Sequence, residues 1–253
     1  MPGTAPDQLV DGLIRHVRVR RLAGLAAAAV LTGSAPLHAQ GSTYCLTTSP
    51  PPRFYTEAFR ADAMSFEVRT VGGRRILVAA GGIQPDTSQK FAAALATAGP
   101  VEEVWLASPG GTLREGMAMG RMIKQAGLAT RVPNGAACMS ACTFAFLGGA
   151  LRYVDPDSWY GIHSFSVFFE EKNVATYLSV VSGFLKNNDV RGLREFLMSM
   201  ERSNAQLAAD CARFLVEMSA SLEFLTGTFG QKQLGMCFLS RAGLERYNVA
   251  NAD

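Results

Sequence analysis

The sequence contains little histidine, and this scarcity limits the metal chemistry that it can support. Three histidines occur among 253 residues, and His16 and His38 both lie within the first 39 positions. The remaining one, His163, is far in sequence from the cysteines Cys138 and Cys142, which have no second pair at the spacing of a zinc site. We therefore expect neither a metal centre nor a cofactor.

The chain also lacks a strong excess of either charge. Charged residues make up 18% of the sequence, and its formal net charge is +3. The first 39 residues hold four arginines and two aspartates, so the remainder carries a net charge of +1. This balance does not favour a nucleic-acid partner. A hydrophobic content of 48% argues against disorder and provides for the core of one ordinary domain.

The apolar stretch near the amino terminus, residues 22–31, is too short for a comfortable membrane span. It follows a basic stretch, residues 15–21, and precedes a segment of small residues. This order is typical of a secretory signal, which we predict to cover residues 1–39 with cleavage after Ala39. A periplasmic or secreted protein follows from this prediction. The alternative is an uncleaved anchor, which would associate the protein with a membrane.

All five cysteines lie beyond the predicted signal: Cys45, Cys138, Cys142, Cys211 and Cys237. An exported protein can form disulfides, and the odd count leaves at least one thiol unpaired or bridged between chains. Cys138 and Cys142 are four positions apart, within disulfide reach on a helix, although Cys211 and Cys237 are alternative partners. We hypothesise that a bridge at one of these two cysteines stiffens the turn that contains Ser140.

Strand-like and helix-like patterns alternate after the predicted signal. Residues 40–60 form a proline-containing linker or N-terminal arm, and residues 61–253 form an α/β domain with a mostly parallel sheet covered by helices. The predicted elements of the first half are a hairpin around residues 72–73, a helix from Asp86 or Thr87 to about Gly99, a strand at 101–107, a helix closed by Gly127 and a strand at 129–132. Those of the second half are a short helix at 139–149, strands at 151–154 and 159–163, helices between 174 and 221, and a last segment that contains a short helix and a closing strand.

Three polar or glycine-rich loops follow predicted strands, at the sheet edge where α/β proteins form their sites. They read SPGG at 108–111, GAACMSA at 135–141 and HSF at 163–165. Acyl transfer by serine needs a nucleophile, a base and backbone donors for the developing oxyanion. Ser140 is the candidate nucleophile, and His163 has the ordinary pKa of a general base. The candidate oxyanion-hole donors are the N–H groups of Gly111 and Ala141.

Each of these residues also has an ordinary structural interpretation. A serine at a helix start is commonly a cap, and a single histidine beside aromatic residues is commonly a hydrogen-bonded core residue. A Ser-Pro-Gly-Gly segment is commonly a turn. The order of the three loops, each placed after a predicted strand, favours the catalytic interpretation.

Four segments together resemble a known family. They are SPGGTLREGMAMGRMIK, GAACMSACTFAFLGGALRYV, YGIHSF and FLSRAGLERYNV. The region of roughly residues 76–249 resembles the proteolytic subunit of the caseinolytic (Clp) protease, within the ClpP/crotonase-like fold, and is similar to exported ClpP-like proteins of bacteria. The resemblance implies that Ser140 is the nucleophile, His163 the base, and Gly111 and Ala141 the oxyanion-hole donors. It also implies a peptide or protein substrate and a homo-oligomer.

The sequence departs from this family at the third catalytic position. The family has an aspartate just before the late Phe-Leu-Ser segment, where this chain has Gly235, Met236 and Cys237. None of these side chains can orient an imidazolium as a carboxylate does. Another carboxylate could replace it, and the candidates are Asp155, Asp157, Asp189 and Glu245. A second departure is Asn248 in place of glycine, and asparagine tolerates the left-handed conformation.

The predicted function is that of a ClpP-like serine hydrolase, a peptidase in the first interpretation. The alternative is a non-catalytic binding or assembly module of the same fold, because the usual aspartate is missing. A crotonase-type acyl-thioester enzyme is disfavoured, since coenzyme A is not expected outside the cytoplasm. A serine–lysine dyad is disfavoured because no lysine lies in a matching motif, and Lys124 falls on the helix after the glycine loop.

Overall fold

The computed structural model describes residues 44–47, 52–164, 171–229 and 235–252. The predicted signal, residues 1–39, and its cleavage site lie outside the described residues. Within the described ranges, no helix combines the length and the apolar character that a membrane crossing requires.

Five strands form the first β-sheet, in the order β2-β3-β4-β5-β7. Their bounds are Ser65–Val71 (β2), Arg74–Ala80 (β3), Glu103–Ala107 (β4), Ala129–Val132 (β5) and Arg152–Val154 (β7). β2 and β3 are antiparallel around the predicted glycine-pair turn, where both glycines have positive φ. The remaining pairs are parallel. This sheet is therefore mixed, with three parallel pairs and one antiparallel pair.

The second sheet has four strands in the order β1-β9-β8-β6 and is mixed rather than mostly parallel. The bounds are Cys45–Thr47 (β1), Ala137–Met139 (β6), Trp159–Ile162 (β8) and Cys237–Leu239 (β9). β6 and β8 are parallel, whereas β9 is antiparallel to both β8 and β1. The prediction of one mostly parallel sheet is wrong here. β9 runs antiparallel to β8, and β1, which lies in the predicted N-terminal arm, pairs antiparallel with β9.

Helices begin and end largely where the sequence signals them. The bounds are Glu57–Arg60 (α1), Thr87–Ala98 (α2), Leu113–Gln125 (α3), Ala141–Phe146 (α4), Glu171–Lys186 (α5), Val190–Glu217 (α6), Glu223–Phe229 (α7) and Arg241–Arg246 (α8). Gly127, the predicted end of α3, lies two residues past the helix with a φ of 64°. Asp189 is the N-cap of α6, and its carboxylate accepts the N–H of Gly192 at 2.8 Å.

Aromatic packing holds α4 in the core. All six residues of this helix are buried. Phe144 contacts Phe214 of α6 and Phe224 of α7, with ring centroids 5.7 and 5.8 Å apart. Burial of each such ring stabilises the fold by about 2–3 kcal/mol. The start of α4 is consequently fixed by the packing of the helix that follows it.

Two disulfides are present, and they close loops of very different size. Cys45 is bridged to Cys237 across a separation of 192 residues, and Cys138 to Cys142 across four. In the chain-entropy view the long loop contributes about 5 kcal/mol and the short loop about 2 kcal/mol. Cys211 is buried and outside both bridges, and its burial raises the pKa of the thiol to about 12. Two disulfides are typical of a protein that matures outside the reducing cytoplasm.

Candidate active site

Ser140 and His163 are in direct contact. The Oγ atom of Ser140 lies 2.7 Å from Nε2 of His163. The register of the neighbouring strands explains this contact. Ser140 follows β6 and His163 follows β8, and the two strands are parallel with Met139 paired to Gly161. The backbone N–H of Ser140 also donates to the carbonyl of Gly161 at 2.9 Å. The two side chains thus emerge side by side from neighbouring strands.

The second ring nitrogen of His163 defines the tautomer. Nδ1 lies 2.7 Å from the carbonyl oxygen of Ser164. A carbonyl can only accept, so Nδ1 carries the proton and Nε2 can accept the hydroxyl proton of Ser140. Burial lowers the pKa of His163, although the hydrogen bond to Ser164 acts in the opposite direction. The ring is therefore neutral near physiological pH and has the tautomer that a general base needs.

The backbone of Ser140 has an unusual conformation, with φ 53° and ψ −124°. A non-glycine residue at such a position is held there by its surroundings, and positions of this kind cluster at functional sites. The side chain does not cap α4. The structural interpretation of Ser140 as a helix cap is therefore wrong, and its hydroxyl is turned towards His163 instead.

The glycine loop lies against the serine turn. Ser108 donates its N–H to the carbonyl of Ala137, and its carbonyl accepts the N–H of Met139, each at 2.9 Å. Gly110, at φ 94°, is so close that an added Cβ would stand 2.6 Å from Cβ of Ser140 and 2.9 Å from the nitrogen of Ala141. Only glycine fits at this position, and the loop is thereby held beside the turn.

Two backbone N–H groups remain available beside Ser140. Ile83 donates to the carbonyl of Gly110 and accepts from Thr112, which leaves the N–H of Gly111 between them without an acceptor among the described residues. Gly111 is exposed. Ala141 is the first residue of α4, where a helix provides no acceptor for the N–H. The four residues predicted from the sequence therefore gather at the end of β6.

The four candidate carboxylates for the third catalytic position each have a partner elsewhere. Asp155 pairs with Arg131 at 2.6 Å, Asp157 with Arg53 at 2.6 Å, and Glu245 with Arg241 at 3.6 Å, while Asp189 caps α6. At the position where the family has its aspartate, Cys237 is bridged to Cys45 and Met236 lies against Gly161. Sequence reasoning missed the carbonyl of Ser164, because a backbone acceptor has no signature in residue type.

A cavity of about 560 Å³ lies between β7, β8, β9 and α8. Its walls include Tyr153, Asp155, Leu239 and Leu244, and none of the four candidate site residues lines it. The cavity is accordingly not part of the candidate active site.

No protein-family model and no curated protein sequence matches the chain. Among solved structures, the chain is similar to ClpP1 from Listeria monocytogenes, with 15% identity and a TM-score of 0.44. It is also similar to a point mutant of the same ClpP1, with 16% identity and a TM-score of 0.43. In both cases the match covers 68% of this chain and 85% of the other. Likeness at this level assigns no activity.

Proposed function

We propose that the protein is a serine hydrolase with a ClpP/crotonase-like fold, and that it cleaves peptide bonds through an acyl-enzyme formed on Ser140. The observation that carries the proposal is the 2.7 Å contact between Ser140 Oγ and His163 Nε2. The contact has the geometry of an activated nucleophile, and the Ser164 carbonyl gives the ring the tautomer required for proton abstraction.

The reaction would proceed in two halves. Nε2 of His163 takes the hydroxyl proton as Ser140 Oγ attacks the substrate carbonyl carbon, and the oxyanion is met by the N–H groups of Gly111 and Ala141. The imidazolium then gives its proton to the leaving amine, and the C–N bond breaks to leave an ester on Ser140. In the second half, a water molecule loses its proton to Nε2 and attacks the ester carbon. Nε2 then returns a proton to Ser140 Oγ as the ester C–O bond breaks and the acid is released.

The carbonyl of Ser164 orients the imidazole but carries only a partial charge. It stabilises the imidazolium less than a carboxylate would, while burial lowers the pKa of His163. In the serine-protease template, replacing the aspartate costs about ten-thousand-fold in part because the tautomer becomes wrong. The tautomer is correct here, so we expect a smaller loss and a slow hydrolase.

The remaining elements of the proposal follow from the resemblance and from the predicted export. An exported protein would have no ATP-driven unfoldase beside it, so its substrates would be short or unfolded peptides. We propose that the protein acts in the periplasm or outside the cell as a homo-oligomer that needs no ATPase partner.

Labelling with a fluorophosphonate tests the function directly, because the reagent phosphonylates only an activated serine. Residues 40–253, the proposed mature chain, would be labelled, and the Ser140→Ala variant would not. Ser158→Ala is a matched control, since its hydroxyl donates to the Asp155 carbonyl and lies outside the site. Equal labelling of wild type and Ser140→Ala would reject Ser140 as the nucleophile.

A non-catalytic binding or assembly module is the second candidate function. The observation that favours it is the disulfide at Cys237, where the family has its aspartate region. This candidate is selected if the wild-type chain is not labelled and the ring of His163 shows no titration by NMR.

A further inference from the structure

We propose that the disulfide between Cys138 and Cys142 positions the nucleophile, so that the same chain with both thiols reduced is folded but a poor hydrolase. The inference rests on the proposed function of Ser140. The bridge encloses Met139, Ser140 and Ala141, with its two Cα atoms 5.4 Å apart. The nucleophile and one proposed oxyanion donor consequently lie inside one small covalent ring.

The two ends of the ring are held by separate parts of the structure. Cys138 belongs to β6, where it pairs with Tyr160 on one side and with Ser108 on the other. Cys142 belongs to α4, which is buried along its whole length. Neither the strand nor the helix depends on the bridge for its place. What the bridge constrains is the turn between them.

This turn needs a constraint because of the conformation of Ser140. A φ of 53° is disfavoured for any residue with a Cβ, and without a covalent link the turn can relax towards ordinary dihedral angles. Such relaxation would move Oγ away from His163 Nε2 and would turn the N–H of Ala141. A misplacement of about 1 Å can cost on the order of a hundredfold in rate.

The other disulfide provides an internal comparison. Cys45–Cys237 closes a loop of nearly the whole described chain and joins β1 to β9. Its loss should lower the stability of the whole fold, since the unfolded chain gains far more freedom. Loss of the short bridge should instead act on the reactivity of Ser140.

Formation of the bridge removes two protons and two electrons from the thiols, and an oxidant of the disulfide class, such as oxidised glutathione, takes them up and becomes two thiols. The newly made chain would therefore be a latent hydrolase in a reducing compartment and would become competent on oxidation.

The experiment compares Cys138→Ser/Cys142→Ser with Cys45→Ser/Cys237→Ser. Fluorophosphonate labelling is resolved into kinact and KI, and the thermal midpoint is measured for each protein. For the first variant we expect kinact to fall on the order of a hundredfold with KI nearly unchanged, and the midpoint to fall less than in the second variant. For the second we expect a lower midpoint and near-normal labelling below it. A wild-type kinact in the first variant would overturn the proposal.

A measurement without turnover separates this inference from the proposed function. The 15N resonance of His163 Nε2 reports its hydrogen bond with Ser140. If wild type is not labelled, the hydrolase proposal fails. A changed Nε2 resonance in Cys138→Ser/Cys142→Ser still supports positioning of Ser140 by the bridge, and an unchanged resonance overturns it.

If the Cys138→Ser/Cys142→Ser variant does not fold, Cys45→Ser/Cys237→Ser is refolded in reductant and then oxidised with glutathione disulfide. Recovery of labelling on oxidation supports the proposal, and equal labelling before and after overturns it.

Discussion

The carbonyl oxygen of Ser164 lies 2.7 Å from Nδ1 of His163, so the histidine is oriented by the residue that directly follows it in the chain. In serine hydrolases of the triad type, a buried carboxylate occupies the corresponding place. A neighbouring carbonyl fixes the tautomer without adding a charge. The contact with Ser164 thus orients the base through a backbone dipole.

The pH dependence of labelling should be shifted towards acid. Burial lowers the pKa of His163 below its ordinary value of 6.5, so the neutral ring persists below that pH. We expect the fluorophosphonate rate constant of wild type to exceed half of its plateau value at pH 6.5 and to reach half only in more acidic buffer. An acidic limb centred at or above pH 6.5 would contradict this expectation. His163→Gln should lack labelling over the whole range.

The same shift makes stability depend on pH. The folded pKa of His163 is below the unfolded value, so the unfolded chain binds more protons as the pH falls through 6.5. The contribution of this residue is present above 6.5 and is lost between that value and the folded pKa. We expect urea unfolding of wild type to show a steeper loss of stability on acidification in this window than His163→Gln. Parallel curves would contradict the assignment.

Substitution of Ser140 should separate stability from function. Ser140→Gly and Ser140→Ala both remove the hydroxyl, so neither should be labelled. Glycine accepts a φ of 53° without a steric cost, and alanine does not. We expect Ser140→Gly to be more stable than Ser140→Ala by about 1 kcal/mol in urea unfolding. Equal stabilities would show that the turn does not hold a strained residue.

Gly110 should be required for the position of the nucleophile. A Cβ at this residue would stand 2.6 Å from Cβ of Ser140 and from the carbonyl oxygen of Met139. We expect Gly110→Ala to lower the labelling rate on the order of a hundredfold by displacing Ser140. Gly183→Ala in α5 is the matched control, because an added Cβ there meets no atom within 4 Å. The control should label normally and gain about 0.5–1 kcal/mol in stability.

Glu103 should matter for stability and not for labelling. Its buried carboxylate accepts from Trp105 Nε1 at 2.7 Å and pairs with Arg131 at 3.0 Å and Arg74 at 2.5 Å. Its partners hold the pKa of Glu103 below its ordinary value despite the opposing effect of desolvation. We expect Glu103→Gln to cost about 3 kcal/mol in urea unfolding, because Arg131 is left half-paired. Below its midpoint, the variant should label at the wild-type rate.

Much of the fold and of the site could be predicted from local signals. Glycines at 72–73 and 127 mark a turn and a helix end by their tolerance of positive φ, and the structure has both where expected. The three loops were recognisable because polar and glycine residues follow apolar runs. Their convergence on Ser140 follows from parallel strand register, which alternation of strands and helices indicates.

Other features could not be predicted, for physical reasons. β1, β6 and β9 have three residues each, too few for a period-two pattern. The sequence predicts a short helix and a closing strand in the last segment without fixing their order, and in the structure β9 precedes α8. The Cys138–Cys142 pairing is one of several alternatives in sequence, because the choice depends on Cα distances that only the folded chain defines. The Ser164 carbonyl was invisible, since every residue has one.

The disulfide between Cys45 and Cys237 closes most of the described polypeptide into one covalent loop. A single cut by a protease at any peptide bond between these cysteines leaves the two pieces joined, and a reducing agent is needed to part them. An exported protein built this way can be cut once in an exposed loop and still keep Ser140 and His163 on one molecule.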